Sequence, residues 1–284
     1  MTSDGSRIGL SEAAERLGVH YMTAYRYVRT GRLPAVAEGG RWLVDPADLD
    51  RVAAAPVRRR TPGGSPAAAA ARLEDRLVAG DEAGAVAVCH EALAGWATPV
   101  DLHLALMVPA LRSIGHRWET GELTVAAEHR ASAVATRVMG RFGPSFVRPG
   151  RRRGTVVVAA PSGDHHALPV MVVGDLLRDA GYAVVDLGPD TPARSLVDAA
   201  RSADRLVGVA IGASITGLEE AVREAVAALH DGMPGVPVIV GGAGIPAEVA
   251  RQAGADRWSG PDGPTLVELV EALGDRVGGP DGPG

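Results

Sequence analysis

The sequence predicts a multidomain protein of all-α and α/β parts: a helix-turn-helix head with a hairpin wing, a four-helix bundle and a doubly wound parallel α/β body. Three observations predict it. Residues 68–142 keep apolar side chains at helical spacing with no strand alternation. Residues 153–277 alternate short β-branched runs with amphipathic stretches, the pattern of a parallel sheet flanked by helices. Between residues 6 and 52, a Gly-containing turn separates two short helical patterns and a Gly-Gly turn separates two apolar runs.

The head is read from "LSEAAERLGVHYMTAYRYVRTGRLPAV". Ser11 is the expected N-cap of a first helix ending at Leu17. Gly18 makes the turn, and a second helix runs from about residue 21 to 29, stopped by Gly31 and Pro34. Helix, glycine turn, helix is a DNA-reading unit whose second helix enters the major groove. His20, Tyr21, Thr23 and Arg26 are the expected base-reading residues, with Arg29 and Arg41 toward phosphate. "AVAEGGRWLVDPADL" supplies the wing.

Charge agrees with that placement. All 29 basic residues are arginine, which reads as coding bias. Residues 1–60 carry ten arginines against seven carboxylates, or +3; the remainder carries nineteen against twenty-seven, or −8. A basic head on an acidic body suits a polyanion partner for the head alone. A single cysteine, Cys89, rules out an intramolecular disulfide framework and fits a reducing compartment. Neither a secretory leader nor a membrane-spanning run is evident, so a cytoplasmic protein without a membrane partner is expected.

The expected boundaries are 1–54 for the winged head, 55–67 for a Pro/Gly/Arg linker, 68–146 for the bundle, 153–277 for the α/β body and 278–284 for a disordered tail. In the bundle, Trp118 ends one helix, a "TGE" turn follows, and Glu128 and His129 open the next. An aromatic lid over a polar pair is a pocket arrangement. The same residues equally suit a solvated helix face with Trp118 filling the core.

In the body, strands are expected at "TVVVAA", "AVVDLG", "LVGVAIG", "PVIVGG" and "RWSG", giving a flavodoxin-like (Rossmann-like) sheet. Ligands of such sheets bind outside the carboxyl ends of the strands. The first loop there reads "SGDHHALP", with Gly163, Asp164, His165 and His166. Asp164 and His166, at i and i+2, share a side of an extended segment. A carboxylate holding one ring nitrogen leaves the other for a metal; His165 faces away as a polar rim. No further ligands follow at zinc-site spacing, so one protein ligand suffices only for a metal already held in a macrocycle. Ser214 and Thr216 end the third strand, and Gly241, Gly242 and Gly244 end the fourth, where backbone approaches a flat ligand closely. The dinucleotide pattern G-x-G-x-x-G is absent after strand one.

Asp-x-His, Ser-x-Thr and Gly-Gly at these three strand ends resemble the cobalamin-binding domain of methionine synthase and corrinoid proteins. The head resembles the MerR and excisionase winged-helix family. Trp118 followed after nine residues by Glu128-His129, behind such a head, is similar to the CarH/LitR-type transcriptional photoreceptors. The resemblance implies His166 as lower cobalt ligand, Asp164 as its partner, and Ser214, Gly241 and Gly242 lining the base tunnel. It implies Trp118, Glu128 and His129 around the adenosyl group of adenosylcobalamin. It also implies a homo-oligomer, a tetramer in the family, that binds operator DNA in the dark and releases it after light cleaves the cobalt–carbon bond. The chain is then no enzyme. Three positions depart from the family pattern: Pro169 stands where it has Gly, Thr216 where it more often has Leu, and Glu119 where a cobalt-capturing histidine follows the Trp, leaving His116 or His129 as substitutes. A light-independent cobalamin sensor and a corrinoid carrier for methyl transfer are the alternatives.

Overall fold

The computed structural model describes residues 7–19, 21–29, 33–38, 41–49 and 65–277. Two compact units divide the chain, Met1–Ser145 and Phe146–Gly284.

The first unit opens with the head: β1 (Ile8–Gly9), α1 (Leu10–Leu17), α2 (Tyr21–Arg29), β2 (Ala35–Glu38) and β3 (Arg41–Val44). The strands form an antiparallel sheet in the order β1-β3-β2. The wing hairpin is therefore present, and a two-residue strand that the sequence pattern did not suggest joins its other side. Helix α1 starts two residues earlier than a Ser11 cap implies. Its N-cap is Gly9, in extended conformation and with no side-chain cap, so Ser11 sits inside the helix and not before it. Local preference for a serine cap gave way because residues 8 and 9 pair with β3. Gly18 ends the helix at φ 63, the left-handed conformation the tight turn requires.

Four helical spans follow, as expected. They are α3 (Pro66–Ala79), α4 (Glu82–Gly95), α5 (Pro99–Asp101) continuing through a π-helical stretch (Leu102–Met107) into α6 (Val108–Glu119), and α7 (Val125–Phe142). The expected linker to residue 67 ends sooner: Ser65 Oγ accepts the Ala68 N–H at 3.2 Å, and Pro66 occupies the first turn. Serine, proline and a run of alanines are a strong helix start, which outweighs the Pro/Gly/Arg composition upstream. Pro109 explains the π stretch. Its ring would strike the Ala105 carbonyl in a regular α-helix, and a widened turn, with the Val108 N–H on the His103 carbonyl, relieves the clash. Leu73, Leu77, Leu106, Ile114, Val138 and Met139 fill the bundle core.

The second unit is a five-stranded parallel sheet of β4 (Thr155–Ala159), β5 (Ala183–Asp186), β6 (Leu206–Gly212), β7 (Val238–Gly241) and β8 (Arg257–Trp258), in the order β5-β4-β6-β7-β8. Helices α8 (Ala167–Asp179), α9 (Ala193–Ser202), α10 (Glu219–Gly232), α11 (Ala247–Gln252) and α12 (Gly263–Val277) connect and flank the strands. This is the flavodoxin order, with its topological switch beside β4. Strand β4 is buried along its whole length, which is why it reads as an unbroken apolar run. Arg153, stacked 5.0 Å over the Tyr182 ring, pairs with the buried Glu271 and ties α12 to the start of the sheet. Among the described residues, no helix is long and apolar enough to cross a membrane.

Candidate functional site

The loop between β4 and α8 crosses the carboxyl edge of the sheet at the switch point. Asp164 is fully buried there. Its Oδ1 lies 2.7 Å from His166 Nδ1 and accepts the His166 N–H at 3.1 Å. Its Oδ2 accepts the Ser214 N–H at 2.6 Å, from the loop after β6. Three donors on its two oxygens fix the carboxylate in orientation. It holds the Nδ1–H tautomer of His166, leaving Nε2 as a free lone pair. The His166 side chain is 53 % exposed, so Nε2 is open to a ligand. His165 points elsewhere, 78 % exposed, with Nδ1 3.9 Å from Asp190 Oδ2. Pro169 is the third residue of α8. The first turn of a helix uses no N–H donors, so the proline is accommodated two positions deeper than the first.

The glycines have a different first duty from the one expected. A Cβ on Gly242 (φ 103) would lie 2.1 Å from the Ala213 carbonyl oxygen, and one on Gly244 would lie 1.9 Å from that of Ile215. A Cβ on Gly241 would lie 2.0 Å from Ser259 Oγ. Their bare faces thus admit the protein's own neighbouring loops. Hydrogen bonds confirm the packing: Ala213 N–H to Gly241 O at 2.9 Å, Gly244 N–H to Ala213 O at 2.9 Å and Gly242 N–H to Gly260 O at 2.8 Å. Gly163, at φ 87, turns the first loop. Thr216 is exposed beyond Ser214.

Three residues at this edge escaped the sequence reading. Ile215 and Trp258 remain exposed apolar side chains, and the Trp258 Nε1–H anchors on the Ile245 carbonyl at 2.9 Å. Asp190 binds the first loop from the loop after β5. The only signal for it was its place at the end of the strand next to β4.

Does this set suit a cobalt corrinoid? A single open imidazole nitrogen backed by a buried carboxylate is the donor set for a metal whose other ligands travel with it. Among the described residues, no group of three or more His, Cys, Asp or Glu could hold a bare ion. Ile215 and Trp258, exposed apolar side chains at the ends of other strands of the same sheet, suit a large flat ring lying over that edge. The residues fit.

In the bundle, Trp118 is 46 % exposed at the end of α6, so it does not fill the core. Glu128, in the first turn of α7, bonds His129 Nδ1 at 2.8 Å and accepts the Ser132 hydroxyl at 2.6 Å. The pair is therefore pre-ordered by these two hydrogen bonds.

In the head, Thr23 Oγ1 donates to Asp101 Oδ1 at 2.9 Å, and the Tyr21 hydroxyl is buried without a hydrogen-bond partner among the described residues. Two side chains expected to face DNA are thus turned toward the protein. Arg41 is exposed on the wing. His20 lies outside the described residues, as do the side chains of Arg26 and Arg29.

Comparison with known proteins agrees with this arrangement. Residues 69–142 and 154–270 each match a family described as B12 binding domain, and residues 9–55 match one described as helix-turn-helix domain. Trimethylamine corrinoid protein 1 of Methanosarcina acetivorans is 29 % identical over 213 residues, spanning 72 % of this chain and 95 % of that protein. The HTH-type transcriptional repressor CarH of Myxococcus xanthus is 33 % identical over 141 residues, 49 % of this chain and 46 % of the repressor. The HTH-type transcriptional repressor CarA of the same organism is 37 % identical over 90 residues, 32 % of this chain and 29 % of the repressor. The solved monomethylamine corrinoid protein of Methanosarcina barkeri superposes with a TM-score of 0.62 at 20 % identity, covering 70 % of this chain and 96 % of that one, and so shares the fold. A helix-turn-helix match ahead of two B12 binding domain matches, with two repressors among the relatives, supports a cobalamin-binding transcription regulator.

Proposed function

We propose that the chain is a light-responsive repressor that uses adenosylcobalamin as chromophore and binds operator DNA as a homo-oligomer in the dark. The observation that carries the cofactor assignment is the hydrogen-bonded chain Ser214 N–H, Asp164, His166 at the switch point. His166 Nε2 would hold the cobalt, with Asp164 orienting the ring through Nδ1. When bound, adenosylcobalamin supplies a cobalt–carbon bond that visible light breaks. Trp118 offers an aromatic face, and Glu128 with His129 offers ordered polar partners, for the adenosyl group. These three residues discriminate the form that carries this group from the form that lacks it. A protein that binds one form better shifts its assembly with that form. Several weakly reading heads in one oligomer multiply affinity for adjacent operator sites, and a monomer loses that gain. No step requires an enzyme.

The test is reconstitution in darkness, followed by absorption spectrum, hydrodynamic size and duplex binding before and after green light. Expected is a histidine-ligated spectrum, a large DNA-binding species in the dark, and a smaller, weaker-binding one after light. Equal size and DNA affinity in both conditions would leave a light-independent cobalamin sensor. A second reading, a corrinoid carrier for methyl transfer, draws on the likeness spanning 95 % of a trimethylamine corrinoid protein. Methyl transfer with a partner methyltransferase, without duplex binding, would favour it; the helix-turn-helix head counts against it.

A further inference from the structure

Asp190 follows β5 with φ 51, a left-handed conformation that residues with a Cβ rarely adopt. Its contacts account for an aspartate there. The Asp190 N–H donates to the Asp164 carbonyl oxygen at 2.8 Å, and Asp190 Oδ1 accepts the Gly163 N–H at 2.8 Å. The next residue, buried Thr191, donates its N–H to the Ala160 carbonyl at 3.0 Å. An aspartate that merely closed its own turn would bond within its loop, as Asp186 Oδ1 does with the Gly188 N–H at 2.9 Å. Asp190 instead reaches back to Gly163, 27 residues away, and to its neighbour Asp164, the two residues that set the position of the buried carboxylate.

Asp164 is thus held from three sides. Its N–H donates to Pro161 O at 3.0 Å within its own loop, its carbonyl takes Asp190, and its Oδ2 takes Ser214. Only Oδ1 is left to orient a side chain, and His166 occupies it.

We infer that Asp190 is a positioning residue for the His166 ring, acting through the backbone of Gly163 and Asp164. Left-handed geometry lets its N–H and its carboxylate grip the same loop at once. Without that grip the Asp164 carboxylate loses its register, and His166 loses the partner that selects one tautomer. The consequence for cobalt rests on the cobalamin reading above; the clamp itself does not.

The experiment uses the full chain, first without ligand. Nitrogen-15 NMR reads the His166 tautomer, amide hydrogen exchange reads the Gly163 N–H, and a hydroxocobalamin titration reads Kd and axial ligation. In Asp190→Ala, Gly163 exchange is expected to rise at least about tenfold and His166 to become a tautomer mixture. Kd is expected to rise about tenfold, the lower end for losing support of a metal ligand. Asp190→Asn keeps an acceptor oxygen and tolerates positive φ, so it should behave as the wild type. Asp190→Gly relieves the backbone but removes the acceptor, so it should match the alanine variant in exchange and tautomer. Unchanged exchange and tautomer in both the alanine and glycine variants would overturn the inference. A wild type that shows the clamp yet never gives a histidine-ligated corrinoid would defeat the cobalamin reading and leave the clamp supported.

Discussion

Thr23 Oγ1 and Asp101 Oδ1 are hydrogen-bonded at 2.9 Å across 78 residues of sequence, tying the second helix of the head to the bundle. The other Asp101 oxygen is taken by Thr98, whose N–H and hydroxyl lie at 2.8 and 2.7 Å in a capping box. The bundle therefore holds a side chain that the sequence assigns to base reading.

Asp101→Ala should free the head and damage the bundle at the same time. Loss of the capping box is expected to cost about 1–2 kcal/mol in urea unfolding. Release of Thr23 should raise duplex affinity by up to about tenfold at fixed salt, since a hydrogen bond to a carboxylate contributes about 1.5 kcal/mol or more. Fluorescence anisotropy of a labelled duplex measures it. Equal affinities would show that the bundle contact does not compete with DNA.

Asp164→Ala should be among the most damaging single changes in the second unit. It leaves the Ser214 N–H and the His166 ring without their acceptor at a fully buried position. The expected loss is about 2–4 kcal/mol. His166→Ala, at an exposed side chain, should cost under about 1 kcal/mol while abolishing any histidine-ligated corrinoid spectrum. Similar unfolding midpoints for the two variants would contradict this ranking.

Glycine substitutions should separate crowding from backbone conformation. Gly244→Ala and Gly242→Ala drive a methyl into backbone atoms within about 2.1 Å and are expected to cost more than about 3 kcal/mol. Gly121→Ala, at φ 81 with open space around it, should cost only about 1 kcal/mol. Denaturant midpoints of the three variants decide it.

Burial pushes the Glu268 carboxyl on α12 up from its usual 4.5 to about 7. Between those values the folded chain binds the proton and the unfolded chain has released it, so stability falls as pH rises from about 4.5 to about 7. Glu268→Gln removes that slope and should stabilise the protein at pH 8 by about 1 kcal/mol, a figure reduced because the carboxyl is partly solvated. Urea unfolding at pH 5 and pH 8 checks both statements; a difference of equal size in wild type and variant would contradict them.

Burial also raises the Cys89 thiol to about 11. In native protein at pH 8 it should resist an aromatic disulfide reagent and react fully only with bundle opening. Rapid modification without loss of helical circular dichroism would show a bundle open at α4.

Much of the fold was legible because it is local. Helical spacing over residues 68–142 announced a four-helix bundle without the bounds of its spans, short β-branched runs marked the five body strands, and the Gly-Gly wing and Gly18 turn were plain. The misplaced cap at Ser11 shows where local reasoning stops: strand pairing at Ile8 and Gly9 claimed the residues before the helix. The Asp164–His166 pair was legible because i and i+2 lie within one short loop. Asp190, Ile215 and Trp258 were not, since nothing near them in sequence marks the edge they share with His166.

By itself the sequence determined the order of the parts, the type of each element and the Asp-x-His spacing, because these follow from nearest-neighbour conformation and the periods of helix and strand. Only the tertiary structure decided which atoms meet. Ser214 reaches Asp164 across 50 residues, Asp190 reaches Gly163 across 27, and Thr23 reaches Asp101 across 78. Each depends on the register of packed strands and helices, which side-chain volumes and loop lengths set together.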